Sequence, residues 1–127
     1  MAGFVPPAEL AWLEADLAAS DAPTVVFVHQ MLDDFIAEWG RPTVLNQDEV
    51  RAMLAADGDV IAVFQGHDHA NAHRVIDGIH YVTFEALVDQ GGPPSWASVT
   101  IDTVAGAIHI VGAGDQASYK LSYPATD

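Results

Sequence analysis

Apolar residues recur at three- and four-residue spacing between Ala8 and Ala19, where Leu10, Leu13 and Leu17 form a stripe and Glu9, Glu14 and Asp16 lie mostly off it. That period predicts an amphipathic helix. Pro6-Pro7 suits its first turn, where a missing N–H costs nothing, and Ser20-Asp21-Ala22-Pro23 ends it. The pattern then becomes continuous: Thr24 to Val28 is apolar and β-branched, as a strand buried on both faces should be, and His29 closes it. From Gln30 to Thr43 the texture is mixed, and the spacing of Met31, Leu32, Phe35, Ile36 and Trp39 predicts a loop carrying a short helix. Asn46 and Glu49 have the spacing of a capping box, and Val50, Met53 and Leu54 form the buried stripe of a helix that runs to Asp57-Gly58. A second apolar strand, Val60 to Phe64, follows directly.

Helix, strand, helix, strand favours parallel pairing through crossovers. The second half reads differently. Arg74 to Ile76 and Ile79 to Phe84 flank Asp77-Gly78, a dipeptide that accepts the positive φ of a tight hairpin turn. Ala97 to Ile101 and Ala107 to Val111 form a second antiparallel pair around Asp102 to Gly106. The fold class expected is therefore α/β, with a parallel βαβ first half followed by antiparallel hairpins, in one domain spanning residues 1–127.

Half of the 127 residues are apolar, enough for one modest core. Four Lys and Arg against eighteen Asp and Glu leave a formal charge of −14, which repels nucleic acid and anionic membrane over most of the surface. No cysteine is present, so disulfides, thiolate metal sites and a cysteine nucleophile are excluded. The first residues lack a basic region and an apolar stretch, and no window is apolar for the length of a membrane span, so a cytoplasmic location is expected. Neither a nucleophile elbow nor a phosphate-binding glycine loop occurs.

Chemistry must then come from histidine, carboxylates and hydroxyls. Gly66-His67-Asp68-His69 lies directly after a buried strand, where strand ends present ligands in α/β proteins. Neutral imidazoles bind zinc, manganese or iron, and Gly66 offers the backbone a turn that would let the two rings diverge toward adjacent ions. His29 ends the other apolar strand, so if the two strands are parallel neighbours, His29 and His67 emerge from one sheet edge. His29, His67 and His69 are the candidate metal ligands. His80 and His109 alternate within strands and read as sheet residues, His73 as at most a supporting contact. The acidic pairs Asp33-Asp34 and Asp57-x-Asp59 read as solvated.

A strand ending in His29, a helix, and a strand ending in Gly66-His67-Asp68-His69 resemble the C-terminal half of the calcineurin-like metallophosphoesterases. Glu9-Leu10-Ala11-Trp12-Leu13 looks like the helix before the histidine strand. Gly78-Ile79-His80-Tyr81 is similar to the manganese-dependent ADP-ribose/CDP-alcohol diphosphatase branch, and the likeness runs from about Glu9 to Leu121. It implies half of a four-layer αββα sandwich, with His29 and His67 as ligands of one divalent ion and His69 of the other. Manganese is the metal it favours, with iron or zinc as alternatives, and a small phosphoester or nucleotide diphosphate is the substrate. The family's Asp-x-His, bridging Gly-Asp-x-x-Asp and Asn-His-Asp/Glu do not occur before His29. Two cations about 3.5–4 Å apart require bridging anionic oxygen, which three neutral imidazoles lack. The chain alone is therefore expected to be inactive, to require an N-terminal complementing half, and to self-associate through the face that half would cover. A mononuclear three-histidine site of cupin type, and a non-catalytic fragment, are the alternatives.

Overall fold

The computed structural model describes residues 3–33, 43–88 and 92–124. Its elements are α1 (Pro7–Leu17), β1 (Thr24–Phe27), α2 (Gln47–Asp57), β2 (Val60–Gln65), β3 (Ala72–Ile76), β4 (Ile79–Thr83), β5 (Trp96–Asp102), β6 (Ala107–Ala113) and β7 (Tyr119–Ser122). The first four strands form one sheet in the order β1-β2-β4-β3, parallel from β1 through β4 and antiparallel at β3; β5-β6-β7 form a second, antiparallel sheet.

The layers follow from the pleat. Successive side chains of a strand point to opposite faces, so each strand of the first sheet can serve two cores. On one face Val63, Ile79 and Tyr81 pack with Leu10 and Leu17 of α1 and Val50 and Leu54 of α2. On the other, Ala62, Phe64 and Val82 meet Ile108, Ile110 and Leu121 of the second sheet. The continuous apolar run Val60 to Phe64 is the central strand these two cores require, and every residue of β2 is buried. Helices, sheet and sheet make three layers of an α/β fold, parallel first and then antiparallel, as the sequence predicts.

Several local expectations need correction. β1 is half-buried rather than enclosed, because it stands at the sheet edge; Phe27 is 78% exposed. The inner row of β5 overhangs that same edge. Val99 and Ile101 share the pleat side of Ala97, which packs into the second core, yet they remain 38% and 41% exposed. The flank between the two sheets is thus open at this edge. Asn46 does not cap α2 with its side chain; its Oδ1 accepts the Val5 N–H and its Nδ2 donates to the Val5 carbonyl, tying the N-terminal segment to the helix. Asp33, expected to be solvated, is 3% exposed. The short helix predicted between Gln30 and Thr43, and Asp34 with it, fall largely outside the described residues. Strand β7, absent from the sequence reading, completes the second sheet.

Candidate metal-binding site

The parallel β1–β2 ladder continues one step beyond the strands. The Val28 N–H donates to the Phe64 carbonyl at 3.0 Å, and the Gly66 N–H to the His29 carbonyl at 3.1 Å. Both chains therefore leave the sheet at the same edge, and the His29 and His67 rings meet edge to face, 5.5 Å between centroids and 89° between planes. Both side chains are exposed, as is His69 two residues on. Among the described residues no three His, Asp or Glu side chains lie close enough together to form a ready cation site.

The turn after β2 is not made by the glycine. Gly66 has no positive φ, whereas His67 and His69 adopt φ of 75° and 53°. An L-residue in the left-handed region carries a Cβ clash of about 1–2 kcal/mol, and such strain collects at functional sites. A methyl group on Gly66 would meet only the His29 carbonyl, at an ordinary 3.6 Å. The backbone reversal that separates the two rings is thus borne by the histidines themselves.

Beneath this loop lies a polar cluster to which the sequence reading gave no role. Gln65, 3% exposed at the end of β2, accepts the Leu32 N–H at 3.0 Å and donates to the Asp33 carboxylate and to Thr83 Oγ1. Arg51 of α2 donates to the Leu32 carbonyl at 2.6 Å and Arg74 of β3 to the Asp33 carbonyl at 2.7 Å. Two of the chain's four cations thus converge on the segment following His29. Tyr81, 1% exposed, is pushed up to about 12, first by burial, with Arg51 opposing and Asp33 adding to the rise, so it stays a neutral phenol. On the far side of the histidine loop, Asn71 donates to Glu85 and to the Asp115 carbonyl and accepts the Ala117 N–H, pinning the loop's exit to the turn before β7. A polar residue closing an otherwise apolar buried run was the signal that could have found Gln65.

His73 and His80 belong to a separate arrangement. His80 Nε2 lies 2.9 Å from the Ser122 carbonyl, which only accepts, so that nitrogen bears the hydrogen. A neutral His80 then accepts at Nδ1 from His73 Nε2, 3.0 Å away. Burial, and next the neighbouring His80, hold His73 below the ordinary imidazole range. The pair joins β3 and β4 to β7, and His73 also packs on Tyr119; its role is to hold the two sheets together. His109 lies on β6 opposite Lys120, half-buried in the second sheet.

Next to His29 the open flank forms an apolar cleft of about 480 Å³, lined by Phe27, Phe64, Phe84, Ala97 and Val99. The three phenyl rings form an edge-to-face chain at 5.4 and 5.3 Å. No described helix is long and apolar enough to cross a membrane.

No protein-family model and no curated protein matches this chain. Among solved structures, a dimetal phosphatase from Danio rerio is similar, with a TM-score of 0.75 over 94% of this chain at 20% identity. The chain spans 38% of that phosphatase's length. At this identity the likeness shows the fold alone: the helix–sheet–sheet body is arranged like part of that solved structure.

Whether two cations fit can be judged from the donors. Two exposed, perpendicular imidazoles with a third two residues away suit divalent-ion ligation through nitrogen. They provide no anionic bridge. His29 and His67 meet at one rim without a third described His, Asp or Glu grouped with them, so the residues present make at most the nitrogen part of an ion site.

Proposed function

We propose that this chain is the histidine-bearing part of a metal-dependent phosphoester or pyrophosphate hydrolase, in which His29 and His67 hold one divalent ion and His69 the other. The observation that carries this reading is the pairing of His29 with His67 where two parallel strands end, in a body with the fold of part of a dimetal phosphatase. When bound, the ions would activate water, hold phosphoryl oxygens and stabilise the charge of an in-line displacement. The chain's own contribution is to bring the His29 and His67 imidazoles together at one rim, with His69 two residues on, above the buried hydrogen bond from Gln65 to Thr83.

The carboxylates and asparagine that such a centre also needs come, on this reading, from a complementing N-terminal half. The open flank supports it: two sheets end on the same side, at β1 and β5, around a cleft of exposed aromatic surface. In the absence of that half, a second copy would cover the flank. Manganese is the proposed metal and a small nucleotide diphosphate or phosphodiester the proposed substrate, after the ADP-ribose/CDP-alcohol diphosphatase branch that Gly78-Ile79-His80-Tyr81 resembles.

The test is reconstitution. The chain is mixed with, or fused behind, a segment bearing the Asp-x-His, Gly-Asp-x-x-Asp and Asn-His-Asp/Glu motifs, taken from the DNA upstream of Met1 if it encodes one. Hydrolysis of bis(p-nitrophenyl) phosphate with manganese is then followed. Activity that appears only with both parts and disappears in His67→Ala is expected. Reconstituted protein that folds, takes up manganese and stays inactive would contradict the hydrolase reading.

A further inference from the structure

We infer that Gln65 is the positioning residue that sets the His29 and His67 imidazoles side by side, an inference that rests on the metal-binding reading of that pair. Gln65 immediately precedes Gly66-His67, and its side chain reaches across to Leu32 and Asp33, just beyond His29. The backbone bond from Gly66 to His29 joins the two loops at one point, about which they could still rotate. The Gln65 amide supplies the second point. Two fixed points determine the relative orientation of the loops and so of the rings they carry.

The amide is suited to this because its bonds are directional and three of its four positions are used, both donors among them. Oε1 accepts from Leu32, and the two Nε2 hydrogens go to Asp33 Oδ1 and Thr83 Oγ1. A buried amide is costly unless every bond is made, so the cluster tolerates one loop arrangement and rejects others. A leucine at position 65 would continue the apolar run of β2 without imposing any such choice. Arg51 and Arg74 hold the carbonyls of Leu32 and Asp33, so the same two residues are gripped by the Leu32 N–H, by both carbonyls and by the Asp33 carboxylate. That concentration of bonds falls on the segment following one candidate ligand, and two of them come from Gln65, two residues before the other.

The experiment inverts the donor and acceptor. Gln65→Glu sets a second carboxylate against Asp33 and removes both donated bonds. Gln65→Met removes all three bonds without adding charge. The pair Gln65→Glu with Asp33→Asn restores the bonds in reverse: the new amide at position 33 and the Thr83 hydroxyl donate to the new carboxylate at position 65, and the net charge is unchanged. Each protein is checked for cooperative thermal unfolding, then for the nuclear Overhauser contact between the His29 and His67 rings without metal, and finally for zinc affinity. Loss of the ring contact in both single variants, zinc binding weakened by roughly ten- to a hundredfold, and recovery of both in the double variant are expected. If a folded single variant keeps the ring contact, or the reversed pair fails to recover it, the inference is overturned. If the native chain shows the ring contact but binds no zinc, the metal reading fails while the positioning role is still decided by the metal-free measurement.

Discussion

His67 and His69 are exposed, yet both sit in the left-handed region, at φ of 75° and 53°. Replacing each by glycine removes the Cβ clash of about 1–2 kcal/mol and adds back roughly 0.5–1 kcal/mol of unfolded-state entropy. Neither side chain is buried, so little packing is lost, although each gives up a contact, that of His67 being the edge-to-face one with His29. The net expectation for His67→Gly and His69→Gly is a protein more stable by about 0.5 kcal/mol at each site. His29→Gly is the control: His29 has no positive φ, so glycine there relieves no clash, and the entropic loss, with the same ring contact given up, should destabilise by at least about 0.5–1 kcal/mol. Urea unfolding followed by tryptophan fluorescence resolves a difference of about 1 kcal/mol between the two classes through the midpoint at constant slope. All three variants should lose zinc binding. If His67→Gly and His69→Gly destabilise as much as His29→Gly, the loop is not strained in the way its backbone angles imply, and no stability is being traded for function there.

The His73–His80 pair predicts a pH dependence. The folded value of His73 lies below the unfolded value of about 6.5, so its stabilising contribution is complete above that value and is lost as pH falls toward the folded one. Because acidification also relieves the repulsion of a strongly acidic chain, the readout is the stability gap between the native protein and His73→Gln. That gap should shrink below pH 6.5, by less than the limit of about 1.4 kcal/mol per pH unit because solvent screens a partly exposed ring, and a gap that widens would refute the pairing. Phe27→Lys, at the open flank, should lower self-association in light scattering without lowering the melting temperature, whereas unchanged association would place the contact elsewhere. Leu54→Ala, at a fully buried position between α2 and the first sheet, should cost about 3–4 kcal/mol in urea unfolding; a loss under 1 kcal/mol would contradict the packing of that layer.

How far the chain could be read before its structure depended on whether a signal was local. Apolar period located both helices, β2 and the two hairpins, and Asp77-Gly78 was legible because both residues adopt positive φ. That β1 stands at an edge was not legible, since a β-branched apolar run looks the same whether or not another strand continues the sheet beside it. Asp33 shows the same limit: beside Asp34 it reads as a solvated pair, and only the fold brings Gln65, 32 residues away, to meet it. The adjacency of His29 and His67 followed from parallel pairing of two strands, a consequence of topology that sequence order suggested. The left-handed geometry of His67 and His69 did not follow, because the glycine beside them drew the turn to itself.

The central claim is that the imidazoles of His29, His67 and His69, and not the others, are the metal ligands. It is tested most directly by adding substoichiometric manganese to ring-labelled protein at moderate ionic strength and observing which histidine signals broaden. Broadening is predicted at 29, 67 and 69, with 73, 80 and 109 unaffected. Broadening confined to the acidic surface, or centred on the 73–80 pair, would contradict it.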